Sequence, residues 1–260
     1  MRRLQLFEFN DQPWLPQLMR TSLTDALGHG IRSSRLFEPI APLFVRFLQR
    51  AGTREVLDLC SGSGEPISVL LEALTGCGQP LPHVLLSDMF PDAQALHAVA
   101  SRHPGHVQIA GAPVDALAVP ASLHARARTI VNALHHFPPH AVEQMLQHCV
   151  RSGSALFILE SFPRSVPHAL RLAPEFAWSL YRDPLRSSRA RLLKGMLTWI
   201  VPVLPAMGAT DLVVSALRIH ALHELQAMVA RLPASFAWEG GLVPYRGRDQ
   251  VLYFFGVPRR

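Results

Sequence analysis

The sequence predicts an α/β chain built on a seven-stranded, mostly parallel sheet flanked by helices, with an N-terminal helical extension and a helical lid insertion. Three observations predict it. Short apolar runs alternate with helical patterns from residue 55 to 160, joined by loops of a few residues, the rhythm of a parallel, helix-covered sheet. A strand, a glycine turn and a helix follow one another in Arg54–Pro66, which is how an open α/β sheet forms a nucleotide site. Acidic or amide residues recur where the strands end, at Asp58, Asp88, Asn132 and Glu160, and open sheets bind ligands at that edge.

The elements follow in order. Residues 1–50 hold an aromatic, proline-punctuated stretch, with Trp14 a candidate pocket wall. Two helical patterns follow, through Leu18, Leu23 and Leu27 and then through Ile40, Phe44, Phe47 and Leu48. They form an N-terminal cap that either covers a substrate or packs on the sheet edge. The core spans 51–160. Its strands are expected at Val56–Leu59, His83–Phe90, Val107–Pro113 and Ala155–Glu160, with the fourth strand and its exit over Arg128–Phe137, and its helices at Pro66–Leu74, Asp92–His103 and His140–Val150. Right-handed crossovers follow from the twist of the strands. Residues 161–217 break the rhythm with four prolines up to Pro184, the aromatics Phe162, Phe176, Trp178 and Tyr181, a basic stretch from Arg186 to Lys194, and an uncharged run from Gly195 to Thr210. That run is short and holds Pro202 and Pro205, so it is not expected to span a membrane, which takes roughly 20 apolar residues. It is read as a lid of short helices over a lipophilic substrate, a peripheral membrane contact through 186–210, or a packed insertion. Residues 218–260 complete the core with a helix over Ala221–Leu232 and strands over Phe236–Tyr245 and Gln250–Val257.

The glycine turn narrows the ligand. Gly62 and Gly64 let the backbone approach a ligand closely, and the helix after them presents free N–H groups. A dinucleotide fingerprint needs a third glycine at position 67, which is Ile67. Asp58, two residues before the turn, can pair with a cationic ligand end. Asp88, near the end of the second strand, can take both hydroxyls of a ribose on its two oxygens. Asp58-Leu-Cys60-Ser61-Gly62-Ser-Gly64 resembles the first motif of the class I S-adenosylmethionine-dependent methyltransferases, acidic-x-Gly-x-Gly-x-Gly, with Cys60 in place of the first glycine, a small-for-small exchange. Leu134-His135-His136-Phe137 is similar to the corresponding stretch of many small-molecule members. The motifs keep the family's order from residue 54 to 160, with weaker support from 220 to 258.

The resemblance implies a Rossmann-like fold whose last strand runs antiparallel, S-adenosyl-L-methionine as cofactor, and methyl transfer to a small acceptor. It implies a donor site of Asp58, Cys60, Ser61, Gly62, Gly64, Asp88, Met89 and Asn132, with Asp115 and Ala116 against the adenine; an Asp after a strand is also an ordinary turn residue.

In-line displacement at a sulfonium needs positioning above all and a general base where the acceptor carries a proton. His135 and His136 are the candidate catalytic residues, or bonded structurally; facing a carboxylate acceptor, the same histidine binds the anion. Glu160 would orient a histidine or line the donor pocket, and Trp14, His136, Glu160 and Trp178 are the candidate acceptor contacts. No metal is expected: His135, His136 and His140 cluster, and His220-x-x-His223-Glu224 lies on a helix, but neither matches a zinc signature.

Bulk properties agree with an enzyme core. Of 260 residues, 49% are hydrophobic and 17% charged, ample for a packed domain. The net charge of +6 comes without a dense basic stripe interleaved with aromatics, so no nucleic-acid partner is expected. Three cysteines at unrelated spacing and no signal-peptide pattern lead to the expectation of a cytoplasmic protein, or one peripheral at the inner face of the membrane. A lipophilic acceptor, with a carboxylate or hydroxyl taking the methyl group, fits the Phe, Trp, Leu and Pro of the covering segments. A nicotinamide-dependent oxidoreductase and a non-catalytic membrane-surface protein with the same fold are the rival readings.

Overall fold

The computed structural model describes residues 2–186 and 190–259, except for the side chain of Arg186. Seven strands form one sheet in the order β3-β2-β1-β4-β5-β7-β6. They are β1 (Glu55–Asp58), β2 (His83–Leu86), β3 (Val107–Ile109), β4 (Ala127–Val131), β5 (Leu156–Glu160), β6 (Phe236–Arg246) and β7 (Asp249–Pro258). β1 to β5 pair in parallel, and β7 runs antiparallel between β5 and β6, as the sequence reading expects. β4 and β5 are buried along their whole length, so their continuous apolar runs suit a sheet covered on both faces.

Successive residues of a strand point to opposite faces, and the two halves of the core divide accordingly. On one face Val56, Phe157 and Leu159 meet α2 (Ala41–Ala51), α3 (Glu65–Gly76) and α4 (Ala93–Arg102). Phe44 and Phe47 of α2 pack against Phe157, with ring centroids 5.1 and 5.2 Å apart. On the other face Leu57, Leu156 and Ile158 meet α5 (Pro139–Ser152) and α9 (Leu222–Val229). The helices at 1–50 thus divide: α2 belongs to the sheet's core, while α1 (Gln17–Ser33) packs with the insertion, where Leu23 and Ala26 meet Leu180 and Met207.

The insertion consists of α6 (Val166–Arg186), α7 (Arg191–Gly195), a π-helical turn over Met196–Ile200 and α8 (Val203–Arg218). The prolines predict short helices; α6 instead runs for 21 residues with Pro174 and Pro184 inside it. Each interior proline costs a helix roughly 3 kcal/mol, and here tertiary packing between α1 and α8 outweighs that cost. The approach to α8 is close: a Cβ on Gly208 would meet Leu180 Cδ1 at 2.5 Å and Phe176 Cε1 at 2.8 Å. Among the described residues no single helix is long and apolar enough to cross a membrane.

One expected strand ends early. The second stops at Leu86 rather than Phe90, because Ser87 and Asp88 turn their hydrogen bonds toward the glycine loop. The fourth ends at Val131 and its exit begins at once: Asn132 takes a left-handed conformation (φ +57°), and Leu134–His136 form a 3-10 turn.

Candidate functional site

The carboxyl ends of β1, β2 and β4 open into a cavity of about 660 Å³, within the roughly 300–1,000 Å³ common for small-molecule sites. Its floor is the loop after β1. Cys60 (φ +56°), Gly62 (φ +54°) and Gly64 (φ +74°) all take left-handed backbone. At Cys60 this corrects the reasoning from size: what the position asks of its residue is a left-handed backbone, which costs a side chain with a Cβ roughly 1–2 kcal/mol. At Gly64 the glycine is required twice over, since a Cβ would also sit 3.1 Å from Val99 Cγ2. At Gly62 a Cβ would meet nothing within 4 Å, so the loop faces open ground there.

Asp58 holds this loop from beneath. It is 2% exposed and off the cavity wall, which corrects its expected direct pairing with a ligand. Oδ2 accepts from Ser61 Oγ and Oδ1 from Thr129 Oγ1, both at 2.6 Å. Burial pushes its carboxyl up to about 7, with the charge of Asp88 adding and the two hydroxyls opposing. Asp88 does reach the cavity. Its Oδ2 accepts the Gly62 N–H and its Oδ1 the Phe90 N–H, both at 2.8 Å; each oxygen keeps a second lone pair. Cys60, Ser61, Gly62, Met89, Asp115, Ala116 and Asn132 also line the wall, and Gly64 does not. Asp115 Oδ1 accepts the Leu117 N–H at 2.8 Å, the turn role that its position after a strand also allows.

The two histidines have different partners. His135 is buried, and Glu160 grips it twice: Oε1 accepts its backbone N–H at 3.0 Å and Oε2 faces Nδ1 at 2.8 Å. Glu160 itself lies behind the histidine, off the wall, so it is a positioning group rather than an acceptor contact. His136 Nδ1 is 2.7 Å from Asp11 Oδ1 and 3.3 Å from Glu8 Oε2. Burial alone lowers the pKa of this imidazole; the close Asp11 carboxylate and the charge of Glu8 outweigh it and raise it above its ordinary value. Arg218 Nη1 joins the same two carboxylates, 2.8 Å from Glu8 and 2.6 Å from Asp11. Burial works against the charge of Asp11, yet His136 and Arg218 hold its carboxyl well below the usual range.

A further acidic wall residue is Asp211 of α8, pushed up to about 6 by burial. Its oxygens accept the Phe9 and Asn10 N–H groups at 2.8 and 3.0 Å. Arg3 donates to the carbonyls of Phe137 (2.8 Å), His135 (3.1 Å) and Arg218 (2.6 Å). The N-terminal segment is thereby strapped across the His135–Phe137 turn, and its Glu8, Asn10 and Asp11 become cavity wall. These three, with Arg20, Phe162, Phe176 and Asp211, escape a reading by local motif. One signal was present: Gly208, Asp211, Leu212 and Ser215 share one helical face, on which Asp211 is the lone charge.

Trp14 and Trp178 require correction. They are 62% and 63% exposed and neither touches the cavity. Trp14 stacks on Phe7 and Trp178 carries Arg182 over its ring; aromatic side chains on covering segments do not point inward by composition alone.

As for metals, the structure brings Glu8, His135 and His136 together, each with one potential ligand atom within 4.8 Å of the others. The Glu8 carboxylate is already satisfied by Arg218 and by Ser215 Oγ at 2.7 Å, so the triad fits a proton-linked ion-pair network better than a cation site. His140 is exposed and outside this cluster.

No protein-family model and no curated protein matches the chain. Solved structures do. An O-methyltransferase family protein from Burkholderia thailandensis superposes with a TM-score of 0.51 at 16% identity, covering 93% of this chain and 60% of the other. The plantazolicin methyltransferase, solved in complex with SAH, gives a TM-score of 0.52 at 11% identity, covering 96% of this chain and 93% of that one. The chain therefore spans about three fifths of the Burkholderia protein and nearly all of the plantazolicin enzyme. It has the Rossmann-like fold of class I S-adenosylmethionine-dependent small-molecule methyltransferases.

Proposed function

We propose that the chain is an S-adenosylmethionine-dependent methyltransferase acting on a hydroxyl of a small, lipophilic acceptor. The observation that carries this reading is the Glu160–His135 pair at the mouth of the strand edge. With Nδ1–H donated to Glu160, the lone pair of His135 lies on Nε2, the atom left to face a ligand. The donor's place is supported by the open face at Gly62 and by Asp88 at the end of β2. Bound there, the cofactor supplies an electrophilic methyl carbon on a cationic sulfur.

The chain's residues then do three things. The loop, Asp88 and Asn132 fix the donor. The apolar wall of Leu23, Leu27, Phe162, Phe176 and Leu212 excludes water and suits a lipophilic acceptor. His135 Nε2 takes the hydroxyl proton as the oxygen attacks, and Glu160 stabilises the imidazolium that results. The three cysteines are free, which supports a reducing, cytoplasmic setting.

Isothermal calorimetry tests the donor. S-adenosylhomocysteine is expected to bind with micromolar affinity, weakened by about 1–3 kcal/mol in Asp88→Ala, and NAD not at all. Binding of NAD without S-adenosylhomocysteine would favour the oxidoreductase reading instead, and binding of neither to the folded protein would leave a fold without this activity.

A further inference from the structure

Large hydrophobic side chains are exposed most densely at one place. Leu185, Leu192, Met196, Trp199, Ile200 and Val201 range from 49% to 86% exposed. All belong to the far end of the insertion, where α6, α7, the π-helical turn and α8 meet. Scattered exposed apolar residues are ordinary, but a contiguous group marks a contact surface. The described residues of the tip are tied to one another. Lys194 Nζ lies 2.9 Å from Asp183 Oδ2 with both side chains buried, and Trp199 Nε1 donates to the Tyr181 carbonyl at 3.1 Å. These two links pin α7 and the π-helical turn onto α6.

Charge selects the occupant. Among the described side chains of the tip, Arg182, Arg191 and Lys194 stand against Asp183, with Asp25 of α1 near enough to interact with Lys194 and Asp183. Lys194 pairs with Asp183, while Arg182 and Arg191 stay exposed beside the apolar residues. A second copy of the chain meeting this tip about a twofold axis would set like charges against each other. An anionic lipid surface complements both features, since apolar side chains enter the boundary between headgroups and acyl chains while arginines pair with phosphates. Tryptophan favours that depth. The shape agrees: Arg191–Ile200 and Val203–Arg218 meet at 72°, with the exposed Ile200 and Val201 at the bend.

We propose that this tip inserts peripherally into an anionic lipid leaflet. The inference stands on the exposed tip and its charge, independently of the methyl donor. It bears on the acceptor all the same, because α6 and α8 also supply Phe176, Gly208, Asp211 and Leu212 to the cavity. The helices that would touch lipid are those that wall the pocket, which gives a lipophilic acceptor a short route from the bilayer.

Vesicle flotation of the full chain tests this, with phosphatidylcholine alone and with added phosphatidylglycerol. Wild type is expected to float with the anionic vesicles, less so in high salt, with a blue shift in tryptophan emission that Trp199→Phe diminishes. Leu192→Glu combined with Ile200→Glu is expected to lower vesicle affinity by about tenfold or more, with unchanged circular dichroism and S-adenosylhomocysteine binding. Equal flotation of that folded double variant, or no flotation of folded wild type, would overturn the proposal. So would concentration-dependent self-association abolished by the same variant, which would make the tip a contact between chains. Equal binding to both vesicle types would overturn the anionic requirement.

Discussion

Replacing Asp58 by asparagine should flatten the pH dependence of stability. Its carboxyl is pushed up from 3.8 to about 7, first by burial and then by Asp88, against the hydroxyls of Ser61 and Thr129. Across that interval the folded protein holds a proton that the unfolded chain has released. The protonated form therefore stabilises the fold fully below about pH 4, and this contribution is lost as pH rises through about 7. At ~1.4 kcal/mol per pH decade the whole interval is worth about 4 kcal/mol, of which about 3 kcal/mol falls between about pH 5 and pH 8. Asparagine imitates the neutral carboxyl, and hydroxyls can turn to accept as well as donate, so Ser61 and Thr129 keep partners. Urea unfolding of both proteins at those two pH values measures the difference. Wild type should lose about 3 kcal/mol more than Asp58→Asn on going to the higher pH. Asp211, pushed up to about 6, and His136 titrate in both proteins and cancel in the comparison. Parallel pH profiles would refute the reasoning, because they would mean that burial does not hold the proton on Asp58.

Three further outcomes follow from the same geometry. Glu160→Gln should lower methyl transfer by about 10²–10⁴-fold while S-adenosylhomocysteine affinity in calorimetry stays within a few-fold, since Glu160 acts on His135 and not on the donor loop. Lys194→Met strands the buried Asp183 carboxylate and should cost about 3–5 kcal/mol in urea unfolding, most of it recovered when Asp183→Asn is added. Gly256→Ala places a Cβ 2.3 Å from the Trp238 ring; the overpacking should cost about 1–3 kcal/mol, read as a lowered midpoint, and Trp238→Leu should relieve it.

The sheet was legible because burial on both faces leaves a plain mark. Ile130-Val131 and Leu156–Leu159 are apolar without interruption, and the turn at Gly62 and Gly64 carries its own signature. The end of β2 was less legible, since Ser87 and Asp88 leave the strand for hydrogen bonds to Asp58 and Gly62 that no apolar pattern announces. The cavity wall of Cys60–Gly62, Asp88–Met89, Asp115–Ala116 and Asn132 could be read because each short group follows a strand. The opposite wall could not: Asp211 meets Phe9 and Asn10 across some two hundred residues, and Arg218 meets Glu8 across a similar distance. Pairing of that range follows from how α8 packs and leaves no local spacing. Proline misled for a related reason: Pro174 disfavours a helix locally, and only the contacts of α6 with α1 and α8 reverse it.

The left-handed turn at Cys60 also makes the loop chemically visible. Burial, and then the charges of Asp88, Asp58 and Asp115, push the Cys60 thiol far up, so it stays protonated and slow to react. Cys77 is exposed and Cys149 buried under Arg128. The chain thus carries three thiols that should react with an alkylating reagent in a fixed sequence: Cys77 first, Cys60 more slowly from the cavity, Cys149 only on unfolding. The middle step reports on the cavity floor, readable by mass spectrometry without any knowledge of the acceptor, and a ligand seated on the loop should slow it alone.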